Sequence, residues 1–116
     1  LPVVHCVKGT QGWQIAEDML DAARGYSYKV IDKPTFGSVE LAQYLAGHAP
    51  WDEIEIVGLV SSICVASNAL IIKAYLPETR IAVDASCTAG VTEDDGKAAL
   101  TVMKMCHIDV RNEAAP

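Results

Sequence analysis

The chain has 116 residues, which is enough for one compact domain. Hydrophobic residues make up 51 % of it and charged residues 21 %, and this composition builds a buried core and excludes an intrinsically disordered segment. The 9 Lys and Arg residues against 15 Asp and Glu residues give a formal net charge of −6, which argues against a nucleic acid partner because phosphates are bound mainly by basic side chains.

The most apolar part of the chain lies between Ile56 and Ile72. Ser61, Ser62 and Asn68 interrupt this stretch, and we therefore expect no membrane-spanning helix and no membrane partner. The first residues do not show the charged and then apolar pattern of a secretory leader.

Four cysteines, Cys6, Cys64, Cys87 and Cys106, are widely spaced along the chain. Because no C-x-x-C pair occurs, the spacing excludes a zinc knuckle and a thioredoxin-type motif. The high aliphatic content favours reduced thiols over stabilising disulfides, and this predicts a cytoplasmic protein. Cys87, expected in a loop after a strand, and Cys106, expected on an apolar helix face, are interpreted as structural.

The predicted elements alternate between helix and strand. Apolar positions at spacings of three and four predict helices, and short β-branched runs predict strands. In chain order the first four are a helix over 15–23, a strand over 28–31, a helix over 39–45 after Ser38 as N-cap, and a buried central strand over 54–60.

The second half of the chain continues this alternation. The predictions are a helix over 65–74, a strand over 80–84, a helix over 92–106 that Thr92 and Asp95 open as a capping box, and a last short strand over 108–110. Such a pattern is typical of a three-layer α/β domain with a parallel sheet covered on both faces. No strand precedes His5, and the first strand of such a sheet is therefore expected to be missing from this chain.

Two strand ends carry reactive residue types. Lys33 follows the strand over 28–31, and Cys64 lies in the first turn of the helix that follows the strand over 54–60. Ligands bind at the carboxyl ends of parallel strands, and the free N–H groups of a helix N-terminus favour an anion there. The alternative interpretations are a small buried hydrophobe for Cys64, a surface lysine for Lys33 and a turn residue for Asp32.

Three successive segments resemble the motifs of the isochorismatase-like cysteine hydrolases, the family that contains the nicotinamidase/pyrazinamidase group. The segments are His5-Cys6-Val7-x-Gly9-Thr10-x-Gly12, Lys33-Pro34-x-Phe36-x-Ser38 and Gly58-Leu59-Val60-Ser61-Ser62-Ile63-Cys64-Val65, followed by Asp84-x-x-Cys87-x-x-Gly90-Val91-Thr92. The resemblance covers nearly the whole chain. It implies a three-layer α/β/α Rossmann-like sandwich, and it implies that residues 1–116 are the C-terminal portion of an isochorismatase-like hydrolase domain.

The resemblance also implies roles for particular residues of an Asp-Lys-Cys triad. Cys64 becomes the nucleophile and Lys33 the triad lysine. The backbone N–H groups of Val60 and Cys64 become the oxyanion hole, next to a cis peptide between Leu59 and Val60. In metal-binding members the histidine of the first motif is a ligand, which implies a divalent, zinc-like metal held by His5 and residues upstream.

This chain departs from the family pattern in two respects. The strand that carries the triad aspartate and the D-x-H metal motif, both of which precede His5 in the family, have no counterpart here. Asp18, Asp21 and Asp32 do not lie in a matching context, and none of them is assigned to the triad. In addition, Ser61-Ser62 replaces the usual Thr-Asp, a change expected to alter hydrogen bonding around the turn.

The resemblance implies hydrolysis of a small carboxamide, with nicotinamide as the leading substrate, to the acid and ammonia through a Cys64 thioester. A second hypothesis is a catalytically incomplete fragment or subunit that needs a partner segment to supply the triad aspartate. An ether hydrolase of the isochorismatase type is disfavoured because those relatives generally lack the cysteine, and a flavodoxin-like binding module lacks a Gly-rich phosphate loop. We expect a homo-oligomer, or completion by the missing N-terminal segment.

Overall fold

The computed structural model describes residues 3–114, and the chain divides into two compact units, 1–30 and 31–116. The first unit contains a 3-10 turn over Gln11–Trp13 and helix α1 over Glu17–Ala23. Helix α1 begins two residues later than predicted, with Glu17 and Asp18 in its first turn, where carboxylates interact favourably with the helix dipole. None of residues 3–30 is fully buried.

The predicted strand over 28–31 is wrong. These residues form no strand, and Tyr28 and Val30 are both more than half exposed. A β-branched run reports how well a sequence fits a pleated surface, but a strand also needs a neighbour to complete its hydrogen bonds. Within residues 3–114, the sheet offers no such neighbour to this segment.

The second unit alternates helix and strand, as predicted. Its elements are α2 (Val39–Gly47), β1 (Glu53–Leu59), a π-helical turn (Ser61–Val65), α3 (Ala66–Tyr75), β2 (Arg80–Ala89), α4 (Glu93–Met105) and β3 (Asp109–Arg111). The three strands are parallel and lie in the order β1-β2-β3. Helices α3 and α4 pack on β2 and on each other, and α2 packs on α3. The predicted α/β class with a parallel sheet is confirmed.

Two predicted helix starts are confirmed by their hydrogen bonds. The Ser38 hydroxyl accepts from the Leu41 backbone N–H at 3.0 Å and caps α2. Thr92 and Asp95 form the reciprocal capping box at the start of α4. Each of these bonds satisfies a backbone donor that the first turn of a helix leaves without a partner.

The core lies between the sheet and helices α3 and α4. Its fully or nearly fully buried side chains include Val65, Ala69, Ile72, Ile81, Val83 and Met103. The guanidinium of Arg111, the last residue of β3, pairs with Glu53, the first residue of β1, through two contacts of 2.6 Å, which joins β3 to β1 across β2. These hydrogen bonds raise the pKa of Arg111 and, together with the charge of Arg80, lower the pKa of Glu53.

Strand β1 is an edge of the sheet that residues 3–114 form, and the prediction of a buried central strand is wrong for this part of the chain. Alternate side chains along β1 are exposed, including Val57 at 50 % and Leu59 at 69 %. Its β-branched composition is typical of a central strand, yet within the described residues only β2 pairs with it.

Strand β2 is longer than predicted and contains Cys87, which was expected in a loop. The pairing moves from Ile56 with Val83 to Gly58 with Thr88, so that two steps along β1 correspond to five along β2. The irregularity allows β2 to resume pairing after the polar residues that follow Val83. Cys87 is exposed.

Helix α4 buries Ala99, Leu100 and Met103. The prediction that Cys106 lies on an apolar helix face is wrong, because Cys106 is the C-cap residue and is exposed. The 13 residues of α4 make it the longest helix of residues 3–114, and no helix there combines the length and apolar character needed to cross a bilayer.

Candidate active site

The turn after β1 places Cys64 at the carboxyl end of the sheet. The peptide bond between Leu59 and Val60 is cis, as predicted, and Val60 is the N-cap of the π-helical turn. The Val60 carbonyl oxygen accepts from the N–H groups of Ile63 at 3.0 Å and Val65 at 3.1 Å. This arrangement leaves the Cys64 thiol half-buried at the beginning of α3.

The structure brings together Lys33 and Cys64, the two side chains for which the resemblance implies triad roles. Lys33 Nζ lies 3.2 Å from Cys64 Sγ and donates to it, although the residues are 31 positions apart. The same ammonium also lies 3.4 Å from the Thr35 carbonyl oxygen. Within residues 31–114, the hydrogen bonds of these two side chains go to each other and to this carbonyl, so none of them comes from a carboxylate.

The segment over 33–38, the lysine loop, is joined to α3 by the side chain of Asn68. The Asn68 amide nitrogen donates to the carbonyl oxygens of Cys64 at 2.8 Å and Phe36 at 3.2 Å. Its amide oxygen accepts from the Ser38 N–H at 2.8 Å. Gly37 lies so close to α3 that a Cβ at this position would overlap the end of the Ile71 side chain.

Asp95 joins the turn that carries Cys64 to the start of α4. Its carboxylate accepts from the Ser62 hydroxyl at 2.6 Å, from the Val91 N–H at 2.9 Å and from both the N–H and the hydroxyl of Thr92. These hydrogen bonds to the charged form lower the pKa of Asp95 to about 2. Ser62 stands in the position where the family usually has Asp, and here it contacts a carboxylate instead of supplying one.

Two further groups lie on the β2 side of the turn. The hydroxyls of Ser61 and Thr88 hydrogen-bond at 2.8 Å, and Ser61 is almost fully buried. Asp84 accepts from the N–H and hydroxyl of Ser86 and from the Asn112 amide, and these bonds lower its pKa. The Asp84 carboxylate thus accepts hydrogen bonds from Ser86 and Asn112.

A cleft of about 760 Å³ lies between the end of β2, helix α4 and residues 113–114. Ser61 and Thr88 are among its lining residues, together with Gly90, Lys97 and Leu100. Neither Cys64 nor Lys33 belongs to this lining in the part of the chain that the structure describes. The contact between lysine and cysteine thus lies outside the lining of this cleft.

The predicted metal ligand, His5, lies in the first unit. Its Nδ1 donates to the Val3 carbonyl oxygen at 2.7 Å, which leaves Nε2 as the ring nitrogen with a lone pair in the neutral tautomer. A backbone carbonyl is a common partner for the second nitrogen of a metal-bound histidine. Residues 3–114 contain no group of three or more His, Cys, Asp or Glu side chains placed to hold a metal. His5 is therefore a candidate for a single ligand, and its role as a metal ligand stays a prediction.

Comparison with known proteins identifies the class. The model of the isochorismatase domain family matches residues 1–114, and the chain belongs to this family. Among solved structures it is similar to nicotinamidase/pyrazinamidase PncA from Bacillus subtilis, with a TM-score of 0.74, 19 % identity, and coverage of 93 % of this chain and 62 % of that one. No curated protein matches the chain.

Two further structures share the fold. The match to the pyrazinamidase of Pyrococcus horikoshii in complex with zinc has a TM-score of 0.69 and 24 % identity. It covers 92 % of this chain and 60 % of the pyrazinamidase chain. The match to an isochorismatase-like hydrolase from Alkaliphilus metalliredigens has a TM-score of 0.67 and 22 % identity. It covers 92 % of this chain and 57 % of the hydrolase chain. The chain thus spans about 60 % of the length of the structures that it resembles.

Proposed function

We propose that this chain carries the nucleophile of a cysteine amidohydrolase that cleaves a small carboxamide to a carboxylic acid and ammonia. The observation that carries the proposal is the distance of 3.2 Å between Lys33 Nζ and Cys64 Sγ at the beginning of a helix. An ammonium group and a helix N-terminus both stabilise a thiolate over a thiol. Two of the similar structures are a nicotinamidase/pyrazinamidase and a pyrazinamidase, and this supports a nicotinamide-like amide as substrate.

In the proposed reaction a carboxylate from outside residues 31–114 takes the proton of the Cys64 thiol, and the Lys33 ammonium stabilises the thiolate. Sγ attacks the amide carbon, and the backbone N–H groups of Val60 and Cys64 stabilise the oxyanion. The C–N bond breaks, and the proton moves from the carboxylic acid to the departing nitrogen, which leaves as ammonia. Water then attacks the thioester, which gives the carboxylic acid and restores the thiol.

The second hypothesis, a chain that needs another segment for activity, is supported by two observations. The chain spans about 60 % of the length of similar structures, and the hydrogen bonds of Cys64 and Lys33 within residues 31–114 include no carboxylate. We propose that the triad carboxylate comes from a preceding segment of the same polypeptide or from a second copy. We also propose that His5 and ligands from the same source would hold a divalent metal, which would supply Lewis-acid chemistry.

The experiment measures ammonia release from nicotinamide and a panel of small carboxamides by the full protein and its variants. Because Cys64→Ala removes the nucleophile, the rate is expected to fall by more than about a thousandfold. Cys87→Ser and Cys106→Ser, which change exposed thiols elsewhere, serve as matched controls and should retain the rate. Undiminished hydrolysis by Cys64→Ala would remove Cys64 from the role.

A thioester trapped on Cys64 by rapid acid quenching would appear in the intact mass as the acyl group of the substrate.

The mass of the unreacted natural protein separates the two hypotheses. Amide hydrolysis by a monomer with the mass of these 116 residues contradicts the need for a further segment.

A further inference from the structure

Within residues 3–114, the Asn68 side chain hydrogen-bonds to backbone atoms of two different segments. On the lysine loop it donates to the Phe36 carbonyl oxygen and accepts from the Ser38 N–H, and on the helical side it donates to the Cys64 carbonyl oxygen. One side chain therefore connects the backbone of the nucleophile residue to the backbone of the loop that carries its ammonium partner.

We propose that Asn68 is a positioning residue, which holds the lysine loop against Cys64 so that the Lys33 ammonium stays beside the thiol. The inference rests on the proposed function. Lys33 is exposed, and its long side chain has several rotatable bonds, so the place of its ammonium depends on where the loop holds its backbone. The close approach of Gly37 to α3 is a second contact of the same loop. The hydrogen bonds of Asn68 fix the orientation of the loop backbone at this contact.

The chemistry of these three contacts requires a carboxamide. The two carbonyl oxygens need a donor, and the Ser38 N–H needs an acceptor, which a primary amide of this length supplies from one planar group. Asp at this position would keep the acceptor and place a charged oxygen against two carbonyls. Ala would leave all three backbone groups without this partner, and the contacts with Ser38 and Cys64 are part-buried, where an unmade hydrogen bond is costly.

The test follows alkylation of Cys64 by iodoacetamide in the full protein, with the modified peptide quantified by mass spectrometry. Rates are measured from about pH 6 to about pH 9, since only the thiolate reacts. Asn68→Ala is expected to lower the Cys64 rate at neutral pH by about threefold to tenfold and to move the rise of the profile to higher pH. Asn68→Asp, which preserves side-chain volume, should move it in the same direction and serves if Asn68→Ala does not fold.

Two comparisons distinguish positioning from a loss of stability. Gln43→Ala removes an exposed amide on α2 that donates to the Tyr75 hydroxyl, away from the lysine loop, and its pH profile should match that of the parent protein. Lys33→Met reports the profile expected when the ammonium itself is gone. The inference is supported if the pH profile of the Asn68 variants lies closer to the profile of Lys33→Met than to the profile of the parent protein.

An Asn68 profile equal to that of the parent, together with a shifted Lys33→Met profile, overturns the inference alone. If neither the Asn68 variants nor Lys33→Met change the profile, the pairing of lysine and cysteine in the proposed function fails, and the inference fails with it. The two failures are therefore distinguishable in one set of measurements.

Discussion

Removal of the Lys33 ammonium tests the central contact of the site most directly. Lys33→Met keeps an unbranched apolar stem and deletes the charge that lies 3.2 Å from Cys64 Sγ. Because Lys33 is exposed, we use the dielectric constant of water, which gives the smallest interaction energy, and a pair of unit charges at this distance then interacts by about 1.3 kcal/mol. An energy of this size corresponds to a factor of roughly ten, and we expect the alkylation rate of Cys64 at neutral pH to fall by about this factor.

The assay is the initial rate of Cys64 alkylation by iodoacetamide at neutral pH, measured at low and high salt. Lys73→Met is the matched control, because Lys73 lies nine residues farther along the same helical segment, about 13 Å from Cys64 and beyond the usual screening length. We expect the control to alkylate at the parent rate. Equal rates for the parent and Lys33→Met would show that the ammonium does not stabilise the thiolate, and would refute the reasoning.

Two further predictions concern stability. The carboxylate of Asp95 has its pKa lowered from 3.8 to about 2, so its contribution to folding is complete above the higher value and is lost as the pH falls through the lower one. In thermal melts, Asp95→Asn should lower the unfolding temperature near neutral pH and reduce its fall with acid, whereas the exposed neighbour Asp94→Asn should not, and equal acid slopes would contradict this. Met103→Ala, at a fully buried site, should lower the urea-derived free energy of unfolding by about 2–5 kcal/mol. Met105→Ala, 78 % exposed, should change it by less than about 0.5 kcal/mol, and similar losses for both would place Met103 outside the core.

Features that depend on a few neighbouring residues were predictable from the sequence. The capping box of Thr92 and Asp95 and the N-cap of Ser38 each join groups three residues apart, so the chain itself brings them together. The approach of Lys33 to Cys64 is a contact over long range. It could be anticipated because strand ends of a parallel sheet share one edge and because the motifs resemble those of a known family.

Contacts that depend on the register of distant segments were not predicted. Nothing in the residues around Asn68 indicates that its amide bonds to Phe36 and Ser38, since a polar residue early in a helix has many possible partners. The bond from Ser62 to Asp95 was missed for the same reason, although the replacement of the usual Asp by Ser62 indicated that hydrogen bonding at the turn would differ.

The errors in the strands have a common cause. Composition shows that a segment suits a sheet, but not which neighbours it has. The segment over 28–31 has no partner strand within the described residues, and β1 has one partner where its β-branched residues predicted two. The extension of β2 beyond Asp84 was missed because its polar residues resemble those of a loop. The irregular pairing that accommodates these residues depends on β1 and cannot be recognised from the local sequence of β2.

The backbone contacts of Asn68 have a practical consequence for redesign. The group that receives its hydrogen bond at Phe36 is the main-chain carbonyl, while the aromatic ring itself is 42 % exposed. Exchanging this ring therefore leaves every atom of the bonding pattern in place. Position 36 therefore tolerates a change of side chain without loss of any group that hydrogen-bonds to Asn68.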